Sequence, residues 1–112
     1  MLQIAGIKAC DSMKKAFARL DAAGVAYAFQ DFKKVPPSAA QIEFWLSKLP
    51  AETLVNRQGT TWRQLDAADQ KAITDTTALT ALLMAKPSLI KRPLLILDEQ
   101  VTTGLQSALL PA

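Results

Sequence analysis

The fold of this chain is decided by a stretch near its start, Leu2-Gln3-Ile4-Ala5-Gly6-Ile7-Lys8-Ala9-Cys10-Asp11-Ser12-Met13-Lys14-Lys15, which holds the only cysteine. The apolar run from Leu2 to Gly6 predicts a short strand, and Gly6 opens a loop toward Cys10. After Ser12 the apolar residues recur at helical spacing, at Met13, Ala16, Phe17 and Leu20. Cys10 therefore stands where a strand and its loop give way to an amphipathic helix.

The placement of Cys10 leaves two interpretations open. A helix N-terminus presents free backbone N–H groups and a partial positive charge, so a thiol held there ionises more easily and the thiolate is the reactive species. Lys8, Lys14 and Lys15 add positive charge nearby, whereas the Asp11 carboxylate opposes ionisation. The alternative is a buried cysteine that acts as a small hydrophobic residue.

Composition sets limits on the class of protein. A chain of 112 residues with 50% hydrophobic and 21% charged residues predicts one globular domain over residues 1–112. The net charge of +3 is modest and the basic residues are scattered along the chain, so we expect no nucleic-acid partner. No stretch has the length of a membrane span or the form of a signal peptide, so we expect no membrane association.

The single cysteine and the absence of histidine narrow the chemistry further. One cysteine cannot form an internal disulfide, which is typical of a reducing, cytoplasmic compartment. Without histidine the chain lacks a cysteine–histidine pair and a conventional zinc site. We therefore expect a cytoplasmic monomer with no metal and no bound cofactor.

The first half of the chain predicts a βαβ unit. Gly24 is a helix stop, and residues 25–32 read as a second strand. Two strands joined by a helix pair in parallel with a right-handed crossover.

A helical insertion is predicted over about residues 38–86. Ser38 is a good N-cap for its first helix, and Asp66 can cap a short helix. A further helix is predicted over residues 76–85, whereas residues 53–65 are interpreted as holding a turn.

The last part of the chain predicts a β-hairpin. Residues 94–97 form an apolar run of strand length, and residues 101–104 can return as an antiparallel edge strand. Residues 106–110 leave room for about one helical turn. The predicted fold class is thus α/β, a thioredoxin-like mixed sheet with flanking helices and a helical insertion between its βαβ and ββα halves.

The sequence resembles the arsenate-reductase-like family of the thioredoxin superfamily, which includes glutaredoxin-linked arsenate reductases and Spx-type regulators. The resemblance rests on three motifs in order, Gly6-Ile7-Lys8-Ala9-Cys10-Asp11-Ser12-Met13-Lys14-Lys15-Ala16, Leu54-Val55-Asn56-Arg57-Gln58-Gly59-Thr60-Thr61-Trp62-Arg63 and Pro87-Ser88-Leu89-Ile90-Lys91-Arg92-Pro93-Leu94. Within the family the chain looks most like the small bacterial branch of proposed glutathione-dependent thiol reductases.

The resemblance implies a set of site residues. Cys10 matches the nucleophilic cysteine, Arg57 an arginine of the insertion, and Arg92 the arginine before the cis-proline, here Pro93. Guanidinium groups offer paired donors to carboxylates and oxyanions, so two arginines converging on the thiolate would hold an anionic substrate. Taken singly, each arginine would be a solvated charge. Lys8 is either a solvated loop lysine or a further cation beside the thiolate, and we count it with the substrate-binding residues.

Two departures from the family pattern bear on function. Met13 stands where two-cysteine members carry a resolving cysteine, so an internal disulfide switch of the Spx kind is excluded. Leu105 follows Gly104 where the arsenate reductases place a further arginine, which weakens arsenate reduction.

Three functions remain as hypotheses. The leading one is a thiol-transfer reductase with Cys10 as nucleophile, glutathione as co-substrate, and an unidentified disulfide or oxyanion as substrate. The second is arsenate reduction linked to glutaredoxin. The third is a non-catalytic Spx-like regulator that binds a protein partner such as RNA polymerase.

Overall fold

A single mixed sheet carries the fold, and the computed structural model describes all residues, 1–112. Its strands are β1 (Leu2–Gly6), β2 (Tyr27–Asp31), β3 (Leu94–Leu97) and β4 (Gln100–Thr103). They are arranged in the order β2-β1-β3-β4. β1 pairs in parallel with β2 and antiparallel with β3, and β3 pairs antiparallel with β4. The predicted α/β, thioredoxin-like class with a mixed sheet and flanking helices is confirmed.

One helix belongs to the βαβ unit and five belong to the insertion. The first is α1 (Asp11–Ala22), and the others are α2 (Ala39–Lys48), α3 (Ala51–Leu54), α4 (Thr60–Arg63), α5 (Ala67–Lys71) and α6 (Thr76–Ala85). Short 3-10 turns at residues 72–74 and 87–89 follow α5 and α6. None of these helices has the length and apolarity needed to cross a membrane.

The helix boundaries follow from capping residues in the sequence. Ser38 accepts a hydrogen bond from the Gln41 N–H, and the Gln41 side chain accepts one from the Ser38 N–H, which makes a capping box. Asp66 caps α5 as predicted. At the end of α1, Gly24 adopts φ 68°, a left-handed conformation that glycine tolerates best. The Val25 N–H then bonds back to α1, so β2 begins later than the predicted residue 25.

The turn predicted within residues 53–65 is confirmed at residues 57–58. The helices α3 and α4 on either side of that turn were not predicted. Residues 106–110, for which the sequence left room for about one helical turn, form turns and no helix. The Ser107 hydroxyl accepts the Leu109 N–H there, a local bond that competes with helix formation.

The sheet separates two apolar cores because side chains alternate along each strand. On one face, Ile4 and Leu95 pack against α1 in a cluster of 7 buried residues. On the other, Ala5 and Ile96 pack against the insertion in a cluster of 14. The larger core thus fixes the insertion on the sheet, and the smaller one fixes α1 and Cys10.

The packing of α6 predicts that alanine substitutions at two adjacent positions lower the stability of the protein by unequal amounts. Leu83 has 0% exposure, whereas Met84 is 42% exposed. Leu83→Ala should lower the free energy of unfolding by about 2–5 kcal/mol because it leaves a cavity. Met84→Ala is the matched control and should change it by less than about 0.5 kcal/mol. Urea denaturation measures both, and equal losses would contradict this packing of α6.

Candidate active site

Cys10 is the N-cap residue of α1, with an extended backbone at φ −90° and ψ 137°. Its carbonyl accepts the Lys14 N–H at 3.0 Å, which is the first turn of the helix. The thiol makes no capping hydrogen bond, and the residue is only half-buried. The sulfur is therefore available at the positive end of the helix dipole.

The Arg92–Pro93 peptide bond is cis, which confirms the expectation for Pro93. The β1–β3 pairing aligns Ala5 with Leu94. Because the strands run antiparallel, Pro93 stands opposite Gly6, where the loop to the cysteine begins. Strand pairing thus places the cis-proline beside the Cys10 loop.

Gly6 is where the two segments come closest. A methyl group built on Gly6 would lie 2.7 Å from Met13 Sδ and 3.2 Å from Arg92 Cγ. The Arg92 side chain therefore crosses the base of the Cys10 loop, and Met13 fills the space behind it. A side chain at this position would therefore require Met13 or Arg92 to move.

The backbone of Arg92 is open to a ligand. Neither its N–H nor its C=O takes part in a hydrogen bond within the chain, and its guanidinium has no partner. The Pro93 carbonyl, in contrast, accepts the Gly104 N–H at 2.9 Å. An extended peptide could pair with the chain at Arg92.

Arg57 is held by the pairing of the insertion with the segment before the cis-proline. The Asn56 N–H donates to the Leu89 carbonyl and the Lys91 N–H to the Leu54 carbonyl, both at 2.8 Å. Arg57 then lines an exposed cleft of about 190 Å³ together with Lys91. Arg57 and Lys91 thus lie on one cleft, and Cys10 is not among the residues that line it.

Lys91 is a further cationic residue of the candidate site, and the sequence analysis did not single it out. Its Cε would lie 3.8 Å from a methyl group built on Gly104. Leu105, which follows Gly104, packs against the α1 core, and its carbonyl accepts a hydrogen bond from the Arg19 guanidinium at 2.8 Å. A signal was present, since Lys91 and Arg92 form a basic pair directly before Pro93.

Lys8 lies on the other side of the Cys10 loop. It lines a surface cavity of about 320 Å³ with Phe17 and Tyr27, at the β2 edge. Because β1 separates β2 from β3, Lys8 and Arg92 flank the loop from opposite sides.

The lysine and arginine side chains near the Cys10 loop form no salt bridges within the chain. The structure has a single salt bridge, between Lys48 and Glu99 at 3.4 Å. An anionic ligand near Cys10 would therefore meet guanidinium and ammonium groups that need no release from internal partners.

A thiol at the start of α1, a cis-proline opening the facing strand, and the β2-β1-β3-β4 order define a thioredoxin-like protein. Residues 5–110 match the ArsC family. The chain belongs to the ArsC family, and its resemblance to arsenate-reductase-like proteins is confirmed.

Known proteins support the same assignment. An uncharacterized protein of Haemophilus influenzae is 32% identical over 93% of this chain and 90% of its own length. A solved YFFB protein is 42% identical, with a TM-score of 0.88 over 95% of this chain and 92% of its own. An arsenate reductase related protein from Brucella melitensis is 38% identical, with a TM-score of 0.77 over 96% of this chain and 88% of its own.

The close approach at Gly6 gives a test of the site's geometry. Gly6→Ala should lower the free energy of unfolding by about 1–3 kcal/mol because the new methyl group overlaps Met13. Combining it with Met13→Ala should cost less than the sum of the two single changes, since the shorter side chain removes the overlap. Urea denaturation of the four proteins gives the coupling energy, and additive effects would contradict this contact.

Proposed function

We propose that the protein is a glutathione-dependent thiol transferase, an arsenate-reductase-like oxidoreductase with Cys10 as its nucleophile. The observation that carries the proposal is the cis Arg92–Pro93 turn beside the Cys10 loop, with an unpaired backbone and an unpaired guanidinium at Arg92. The proposal includes a monomer in the cytoplasm, where glutathione keeps the lone thiol reduced.

The reaction consists of two balanced thiol–disulfide exchanges. The Cys10 thiolate attacks the glutathione sulfur of a mixed disulfide, which forms a Cys10–glutathione disulfide and releases the other half as a thiolate. A second glutathione thiolate attacks the glutathione sulfur of that disulfide, which releases oxidised glutathione and restores the Cys10 thiolate. No second protein thiol is needed, which suits a chain with Met13 at the resolving position.

Glutathione is an extended peptide with two carboxylates, and the site offers matching groups. The Arg92 N–H and C=O can pair with its backbone as an added strand segment. The Arg92 guanidinium can bind a carboxylate directly, and Arg57 with Lys91 can receive the second carboxylate. In this arrangement Lys8 faces the other half of the mixed disulfide.

Arsenate reduction is the second candidate, because a protein described as a possible arsenate reductase from Streptococcus mutans is 31% identical, with a TM-score of 0.82 over 97% of this chain and 94% of its own. Lys91 beside Gly104 would then be the third oxyanion ligand, in place of the arginine that Leu105 replaces. Assay with arsenate, glutathione and glutaredoxin separates the two activities. Arsenate turnover that exceeds disulfide exchange would overturn our preference.

Substitutions at the site test the leading proposal. Cys10→Ser should abolish glutathione-dependent reduction of hydroxyethyl disulfide. Arg92→Ala should raise KM for the glutathione mixed disulfide roughly ten- to a hundredfold, because it removes a charge-assisted hydrogen bond. Lys86→Ala removes an exposed lysine from the same segment and is the matched control. Steady-state kinetics measures all three variants.

Two outcomes would contradict the proposal. Undiminished exchange by Cys10→Ser would exclude this thiol as the nucleophile. Full rescue of a deletion phenotype by Cys10→Ser would favour the third hypothesis, a regulator that binds a protein partner without using its thiol.

A further inference from the structure

An aromatic cavity lies at the β2 edge and is not used by the proposed glutathione site. Phe17, Tyr27 and Phe29 form its apolar wall, and Lys8 and Asp21 complete its lining of about 320 Å³. The Phe17 ring stacks on Tyr27 with centroids 5.8 Å apart and meets Phe29 edge to face at 5.0 Å. All three rings are half-buried, so part of each ring remains accessible.

The cavity begins at the nucleophile's own helix. Phe17 follows Cys10 by seven residues, which is about two helical turns and about 10 Å along α1. Both side chains pack against the same apolar cluster, so they share a face of α1. Lys8 lies two residues before Cys10 and also lines the cavity. A group bonded to the Cys10 sulfur is thus within one small molecule's length of the aromatic wall.

The charges around the cavity differ between its two ends. Lys8 is exposed and unpaired, and it also lines a neighbouring cavity of about 490 Å³ together with Lys34 and Asp31. At the far end the Asp21 carboxylate accepts the Tyr27 hydroxyl at 3.2 Å. Desolvation, and then the Asp21 carboxylate, raise the pKa of Tyr27 above 10.0, so its hydroxyl stays protonated and bound to Asp21. An anion is favoured beside Lys8 and disfavoured beside Asp21.

We propose that this cavity binds the half of the mixed disulfide that is not glutathione, and that this half is an aryl thiol with a carboxylate. Its ring packs on Phe17, Tyr27 and Phe29 by offset or edge contacts, and its carboxylate pairs with Lys8. The inference rests on the proposed function, since the Cys10 thiolate attacks the glutathione sulfur and the aryl thiolate leaves into this cavity. Glutathione and the aryl group then occupy opposite sides of the Cys10 loop.

Binding without chemistry is the first test. In the Cys10→Ser background, 2-nitrobenzoate should cause saturable NMR shifts of the Phe17, Tyr27 and Phe29 rings. Adding Lys8→Gln or Phe17→Leu should weaken binding about tenfold. Lys15→Gln, an exposed lysine of α1, is the control and should leave the affinity unchanged. Absence of saturable ring shifts, or equal affinity in the Lys8→Gln protein, would overturn the proposal even if every variant is folded.

Kinetics is the second test and separates this inference from the proposed function. The substrates are the glutathione mixed disulfides of 5-thio-2-nitrobenzoate and of 2-mercaptoethanol. The wild-type protein should favour the aryl substrate in kcat/KM, and Lys8→Gln should lower that preference about tenfold. If the protein catalyses thiol–disulfide exchange without preferring the aryl substrate, the proposed aromatic binding site is wrong, but the proposed thiol transferase activity is supported. Ring shifts without any exchange would overturn the transferase and leave the binding site intact.

Discussion

The antiparallel pairing of β1 with β3 is the constraint on which the site depends. It brings two segments that are distant in sequence, the Cys10 loop and the Arg92–Pro93 turn, to the same end of the sheet. The approach is close enough that a methyl group on Gly6 would meet both Met13 and Arg92. A side chain at Gly6 would require Met13 or Arg92 to move, so the glycine belongs to the candidate site as well as to the strand end.

The forces that hold the fold and the forces that bind a ligand are largely separate. Two apolar cores on the faces of the sheet provide the stability, and the single salt bridge is on the surface, where such pairs contribute little. The lysine and arginine side chains near the Cys10 loop therefore form no salt bridges that stabilise the fold, and they are free to bind a ligand. Lys8 stands on one side of the loop and Arg92 on the other, so the mixed disulfide of the proposed function would meet a different surface on each side.

The parts predicted correctly were those in which local sequence determines local structure. The βαβ unit follows from hydrophobic periodicity and from Gly24, and the start of α2 follows from the Ser38 capping box. The sequence did not predict the short helices α3 and α4, which flank the confirmed turn of residues 53–65 where the insertion folds back on the β3 segment. Residues 106–110, which the sequence left open, stay irregular while their leucines pack against α1.

The sequence by itself determined the local setting of the candidate site residues. A lone cysteine after an apolar strand and before an amphipathic helix specifies a helix-end thiol, and an arginine before a proline in the third motif specifies the facing turn. Only the tertiary structure decided how the cations are distributed around that thiol: Arg92 at the loop, Arg57 beside Lys91, and Lys8 in an aromatic cavity at the β2 edge. The physical reason is that strand order and register are set by long-range burial of apolar faces, which no local motif encodes.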